Sequence, residues 1–302
     1  MALWQLGFYN DATPTERPEN FRYPNSKRKI KEHLPKATWI NHSTFLITFG
    51  NVHVLTDPIW GERCSPLSFL GPKRRHETPL ALENLPEIDI VLLSHDHYDH
   101  FCTKTAVELS EKNPNMFFVV PLGMKKRLEK LGIHQVIEME WWQKETLQVK
   151  GEEIRIVAVP TQHFSGRGIF DKNTTLWAGY VVDFIRPNKQ EKRLYFVGDT
   201  GYNEVDFKTI GKEFGEMDLS LIPIGTYVPG KFMDPVHIGP EKSVSIHEEV
   251  NSLLSIGMHW KTFRLSSEHL ERPPYDLYQV LQKRNIDPNT FRVLEPGQTI
   301  NW

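Results

Sequence analysis

From residue 37 onward the chain resolves into short apolar runs separated by turn residues. Residues 37–49 carry a β-rich apolar pattern, turn at Gly50-Asn51 and return through Val52-His53-Val54-Leu55-Thr56-Asp57, which predicts a β-hairpin. Ile88-Asp89-Ile90-Val91-Leu92-Leu93 has the length and β-branched content of a buried strand. Next come a helix over 104–112, a buried strand over 116–120 ended by Pro121, an amphipathic helix over 124–131 closed by Gly132, and a strand over 134–138. That alternation is the mark of an α/β layer. Strands are then expected over 146–149, 153–159, 176–185 and 193–197. A helix over 207–214, a strand over 218–224, helices over 240–251 and 275–284 and a strand over 291–294 complete the pattern. Two runs of hairpins, each followed by β/α alternation, imply two similar halves packed together, although no repeat is visible residue by residue.

No segment reads as an interdomain linker, so one domain over residues 1–302 is expected. Residues 1–36, polar and rich in Pro and charge, read as an irregular surface arm. Residues 58–87 have no periodicity, and loops of that length are usually functional or disordered. Trp60, Phe69 and Leu70 favour an ordered pocket wall.

Composition narrows the function classes. The 302 residues carry 36 Lys and Arg against 38 Asp and Glu, a formal net charge of −2, which gives no bulk electrostatic case for nucleic acid. The tightest basic run, Lys73-Arg74-Arg75, is short and reads by default as a solvated turn; were the substrate a lipid, Lys73 and Arg74 would be placed to meet its phosphate. Only two cysteines occur, Cys64 and Cys102, without CxxC spacing, which fits a reducing compartment. No signal-peptide pattern opens the chain and no run approaches the ~18 apolar residues of a spanning helix. A cytoplasmic or peripherally membrane-associated protein is expected. Eight Trp and 17 Phe are enough to line an apolar pocket as well as a core.

The chemistry concentrates directly after the buried strand, in Ser94-His95-Asp96-His97-Tyr98-Asp99-His100. Neutral imidazoles and ionised carboxylates are the ligands divalent ions such as Zn²⁺ prefer. Residues two apart on an extended turn can converge on one ion, and the next pair can reach a second. Three more positions share the setting of a ligand type just after a strand: His163, Asp199 in Gly198-Asp199-Thr200-Gly201, and His259. Each alone is an ordinary structural histidine or turn residue; ligands gather at matching strand ends in layered folds, so the set says more than its members. Asp57 is either a turn residue before Pro58 or a carboxylate that orients a metal-bound histidine. His42 and His53 read as structural rather than as ligands. A bound divalent ion lowers the pKa of its water to ~7, so such a site suggests hydrolysis by a hydroxide held between two metals.

The order His-x-His-x-Asp-His, a spaced His, Gly-Asp-Thr-Gly and a late His resembles the metallo-β-lactamase superfamily, with Thr56-Asp57-Pro58 similar to its first motif. The resemblance implies an α+β fold, a four-layer αββα sandwich. It implies two Zn²⁺ or other divalent ions, one on His95, His97 and His163, the other on Asp99, His100 and His259, with Asp199 between them and Asp57 behind. Further segments resemble the N-acylphosphatidylethanolamine-hydrolysing phospholipase D family. They include Asp57-Pro58-Ile59, Gly71-Pro72-Lys73-Arg74, the His95 to His100 run, Pro121-Leu122-Gly123, Trp141-Trp142, Val236-His237, His259-Trp260-Lys261-Thr262-Phe263 and Glu268-His269.

This second resemblance implies a zinc-dependent phospholipase D that releases N-acylethanolamine and phosphatidic acid, with Asp199 and His237 catalytic. It also implies a phospholipid substrate, peripheral membrane contact and room for a homodimer. Phe69, Tyr98, Tyr227 and Phe232 are the expected substrate contacts. Two features depart from the family: Asp96 stands where animal members carry Asn, and the N-terminal arm is short and unlike theirs. The alternative reading is a lactonase or a phosphodiesterase of a small soluble substrate.

Overall fold

The computed structural model describes residues 21–25, 29–187 and 191–302, so most of the expected 1–36 arm lies outside the described residues. Two seven-stranded sheets face each other. The first runs in the order β14 (Thr299–Asn301), β1 (Lys36–Asn41), β2 (Thr44–Phe49), β3 (Val52–Thr56), β4 (Ile90–Leu92), β5 (Phe117–Pro121) and β6 (Val136–Met139). The second runs β13 (Phe291–Val293), β12 (Ser255–Met258), β11 (Leu219–Pro223), β10 (Glu191–Phe196), β9 (Gly179–Ile185), β8 (Glu152–Val159) and β7 (Lys144–Val149). In each sheet an antiparallel stretch, β1–β3 or β7–β10, gives way to a parallel one, β3–β6 or β10–β13. That is the similarity of halves the alternation implied.

The period-2 pattern explains the layers. In β4, Ile90 and Leu92 point into the core between the sheets. Val91, and Leu93 just beyond, point outward against Ala106 and Leu109 of α1 (Thr103–Lys112) and Leu128 of α2 (Lys125–Glu129). The second sheet is covered by α3 (Asp206–Phe214), α5 (Pro240–Glu249) and α6 (Arg272–Arg284), through Phe207, Ile210, Val244, Leu277 and Leu281. A short α4 (Gly230–Met233) precedes α5. The fold is a sandwich of two mixed sheets with flanking helices, as expected. Each large apolar side chain buried this way contributes about 1.5–3 kcal/mol.

Two local readings change. The expected hairpin over 37–57 is a three-strand meander, because the chain reverses at His42-Ser43, with His42 at φ 39°. Only the polar stretch Asn41-His42-Ser43-Thr44 interrupts the apolar pattern there, and all four residues are buried. Strand β14 and helix α4 are too short, at 3 and 4 residues, to show a period.

Gly211 fixes the distance between α3 and α5: a Cβ at this position would lie 1.9 Å from the Glu249 carbonyl oxygen. Gly211→Ala is therefore expected to separate the two helices and cost about 1–3 kcal/mol, read as a lower midpoint in thermal unfolding with metal content unchanged.

Candidate metal centre

The C-terminal ends of five strands meet at one edge of the sandwich. β3 delivers Asp57, β4 the 94–100 loop, β8 His163, β10 Asp199 and β12 His259. Parallel pairing puts these ends level: Thr56 lies opposite Leu92 in the first sheet, and Pro223 opposite Met258 in the second. A bond from Ala178 N to Ser94 O (2.9 Å) ties the sheets together at this edge. Gly198, at φ +70°, allows the closest approach, since a Cβ there would sit 2.8 Å from Ser94 Cβ. His42, Asp57, Thr226 and His259 all hold positive φ (39°, 33°, 70° and 63°). Such conformations cost ~1–3 kcal/mol each in non-glycine residues and cluster at functional sites.

Four imidazoles are held by one ring nitrogen and present the other. His95 Nδ1 meets Ser94 Oγ (2.9 Å), and His100 Nδ1 donates to Asp57 Oδ2 (2.6 Å). His163 Nδ1 donates to Val236 O (2.8 Å), and His259 Nδ1 meets Thr226 Oγ1 (3.2 Å). Their Nε2 atoms therefore face the site, the arrangement by which outer partners fix metal-binding histidines. Asp57 is fully buried and also accepts from Ser94 N (2.7 Å) and Ser94 Oγ (2.5 Å), so one carboxylate positions two neighbours.

The donors form two lobes. In one, His97 Nδ1 lies 2.8 Å from His95 Nε2 and 3.2 Å from His163 Nε2. In the other, Asp99 Oδ2 lies 3.0 Å from His42 Nε2 and 3.4 Å from both His100 Nε2 and His259 Nε2. Asp199 Oδ2 stands between the lobes, 3.1 Å from His259 Nε2, 3.2 Å from His100 Nε2 and 3.8 Å from His163 Nε2. Its Oδ1, with His100 Nε2 and His259 Nε2, is buried without a hydrogen-bond partner among the described residues. Such atoms cost about 1–3 kcal/mol each unless something satisfies them. The donor set fits divalent metal ions.

The charges differ between lobes. Burial, with the neighbouring imidazoles, holds His95 well below the usual histidine range. Burial likewise holds His163 well below that range. Burial works against a charged His100 and His259, but Asp199 and Asp99 outweigh it, raising His100 well above its usual value and His259 to about 9. Asp99 and Asp199 lie well below the usual carboxylate range, because His100 and His259 overcome their desolvation. Burial raises Asp57, against the hydrogen bonds from His100 and Ser94.

All the ligand candidates read from the sequence meet here. So does His42, which the sequence assigned to structure: its ring centroid lies 4.0 Å from that of His259, the two planes tilted by 44°. His53 stays apart, bonded to Glu87 O. His237 follows α4, with Nδ1 3.7 Å from Asp199 Oδ2, and burial lowers its pKa to about 4. Tyr98 donates to Arg167 O (2.9 Å), and the Arg167 guanidinium stacks 3.8 Å from its ring. Phe69 and Phe232 are 75% and 64% exposed on the 58–87 loop and on α4, whereas Tyr227 donates to Asp276 (2.5 Å). Arg74 is turned inward to Ile59 O (3.1 Å) and Gly61 O (2.7 Å), which removes it as a lipid-phosphate contact.

Asp96, the departure from the family pattern, is fully buried between two of the histidines. Its Oδ1 accepts from Gly166 N (2.8 Å) and its Oδ2 lies 3.2 Å from Arg127 Nη2, which also donates to Asp171 (2.9 Å). Arg167 reaches Asp96 O (2.6 Å) and Phe101 O (2.8 Å). Ser165 Oγ donates to Thr175 O (2.6 Å), closing the foot of a loop whose tip, Ile169 and Phe170, is 89% and 97% exposed. No local sequence pattern announced this network.

The Beta-lactamase superfamily domain profile matches residues 53–260. A Caenorhabditis elegans protein named N-acyl-phosphatidylethanolamine-hydrolyzing phospholipase D 1 is 37% identical over 269 residues, covering 87% of this chain and 74% of that protein. An uncharacterized Mycobacterium tuberculosis protein is also 37% identical, over 100% of this chain and 77% of its own length. Among solved structures, the isothiocyanate hydrolase from Delia radicum gut bacteria shares the fold, with a TM-score of 0.66 at 18% identity over 88% of this chain and 99% of that one. Sandwich, donor set and relatives together define a metal-dependent hydrolase with a His/Asp metal site. The chain belongs to the metallo-β-lactamase superfamily.

Asp57→Asn keeps the shape but gives His100 an amide where it now meets a carboxylate. Metal affinity is expected to fall about 10–100-fold, measured by competition with a chromophoric chelator.

Proposed function

We propose that the protein is a phospholipase D that hydrolyses N-acylphosphatidylethanolamine to N-acylethanolamine and phosphatidic acid. The observation that carries this reading is the 37% identity, over 87% of the chain, to a relative named for that activity, together with the two-lobed donor cluster. In this reading His95, His97 and His163 hold one Zn²⁺, Asp99, His100 and His259 hold a second, and Asp199 lies between them. Bound divalent ions would make water nucleophilic at neutral pH and stabilise charge on the phosphoryl group.

The chain's own groups do the rest. Asp199 Oδ1, buried and without a partner among the described residues, accepts a hydrogen bond from the attacking water and aims it. His237, whose pKa of about 4 leaves it neutral at physiological pH, donates an N–H to a phosphoryl oxygen or to the leaving alkoxide. Tyr98, backed by Arg167, lines the site. Tyr227, Phe69 and Phe232 supply apolar surface for acyl chains. The exposed side chains Phe69, Ile169 and Phe170 stand on loops that leave the metal-bearing edge, Phe232 stands on the short helix α4, and together they support peripheral contact with a lipid surface.

Zinc-loaded protein given mixed micelles of N-acylphosphatidylethanolamine should yield phosphatidic acid and N-acylethanolamine by mass spectrometry. Asp199→Asn and His237→Ala should each lower turnover by roughly 10²-fold or more, with His237→Ala retaining its metal. Untouched lipid alongside cleavage of bis-p-nitrophenyl phosphate would replace the lipid substrate with a small soluble phosphodiester.

The lobes should also load differently with pH. His95 and His163 are already neutral, so metal there displaces no proton from them. His259, with a pKa near 9, is protonated at neutral pH, so metal must displace its proton and affinity falls as pH drops below that value. Metal titration is expected to fill one lobe at about pH 6 and both at about pH 9, with proton release seen by calorimetry in buffers of different ionisation enthalpy.

A further inference from the structure

The basic run Lys73-Arg74-Arg75 has no part in the metal centre, and its members go three ways. Lys73 pairs with Glu62 at the surface (2.7 Å), and Arg74 bonds inward to the backbone. Arg75 lines a cavity of about 430 Å³ with His76, Lys261, Arg264 and His269. Leu270 adds an apolar wall and Glu271 is the acid among the lining residues. Glu271 lies 3.6 Å from Lys261, which also contacts Glu295 (2.5 Å). Two arginines and a lysine, the lysine already paired with Glu295, thus line a hollow with one carboxylate among its described lining residues. Arginine forks match the oxygens of a phosphate group, and a doubly charged monoester gains more from such a set than a carboxylate or a diester does. The volume is that of a small organic ligand and exceeds what inorganic phosphate fills.

The cavity is wired to the metal centre. It is built from the loops that follow β3 and β12, the strands that deliver Asp57 and His259. His76 Nδ1 donates to Glu77 O (2.8 Å), which leaves Nε2 as an acceptor for Thr262 Oγ1 (3.0 Å). Thr262 Oγ1 accepts in turn from His42 N (2.7 Å), and Arg75 N donates to Thr262 O (2.9 Å). The His42 ring contacts Asp99 (3.0 Å) and lies tilted against His259. Hydrogen bonds thus join His76 through Thr262 to the His42 backbone, and the His42 ring touches two donors of the metal site.

We propose that this cavity binds a phosphate monoester and that its occupancy is coupled to the metal centre through His76, Thr262 and His42. The monoester comes either from a soluble metabolite or from a lipid such as phosphatidic acid; the latter source rests on the phospholipase reading, and binding itself does not.

Calorimetry on metal-loaded protein uses glycerol 3-phosphate as the soluble probe, and sedimentation with phosphatidylcholine vesicles, with and without phosphatidic acid, tests the lipid source. Arg75→Gln combined with Arg264→Gln should weaken the favoured probe about tenfold or more, with metal content and thermal midpoint retained. Leu270→Trp, which fills the hollow and keeps its charges, should do the same. Asp199→Asn should leave this binding in place. Turnover of bis-p-nitrophenyl phosphate should change at least about twofold on adding the probe to wild type, and should not respond in Thr262→Val although that variant still binds. Neither probe binding, equal binding by wild type and the cavity variants, or binding lost in Asp199→Asn alone would overturn the site, the last because the monoester would then sit on the metals. An unchanged response in Thr262→Val would overturn the coupling. None of these outcomes depends on whether N-acylphosphatidylethanolamine is cleaved.

Discussion

Buried charge is the constraint on which this structure depends. Asp57 and Asp199 are almost wholly removed from water, and Asp99 keeps only 14% of its side-chain surface exposed. Removing a carboxylate from water costs several kcal/mol unless positive charge and hydrogen bonds offset it. Here the offset comes from imidazoles and from a site shaped for cations. The costly features nearby serve that end: four positive-φ residues aim side chains inward, and Gly198 lets the sheets close on one another. The apolar core between the sheets supplies the stability that lets the edge carry this strain.

Strand periodicity and the His95 to His100 run made the fold class and most of the donor set readable. Each donor follows a strand whose apolar residues announce it, so position along the chain already implied position in space. His42 escaped because it lies in a tight turn inside an apolar stretch, and its place beside Asp99 arises from packing between strands distant in sequence. The outer partners of the histidines were hidden for a similar reason. Thr226 and the Val236 carbonyl lie far along the chain from His259 and His163 and are ordinary loop groups by type. Loop aromatics carry no period, so nothing local distinguishes the exposed Phe69 from the hydrogen-bonded Tyr227.

The two resemblances read from the sequence differ in how far they reach. Membership of the superfamily rests on donors fixed at strand ends. Substrate identity rests on loops, and over its whole length the chain is as similar to an uncharacterized mycobacterial protein as to a named phospholipase. Asp96 illustrates the difference. A carboxylate at this position requires a cationic partner, and Arg127 on α2 provides it while also holding Asp171. A change at one position in the donor run is thus accommodated by an ion-pair network reaching a neighbouring helix and loop, with the histidines on either side left in place.

The loop closed by Ser165 and Thr175 has a consequence for how such a protein diversifies. Its foot is sealed by the Ser165–Thr175 bond and anchored through Asp171 and Arg167, while its tip carries only exposed residues. Mechanically it is a cassette: the few codons of the tip can be rewritten by mutation or by design without transmitting a displacement to His163. Changes at the rim are thereby decoupled mechanically from the donors beneath it, so the two can vary independently.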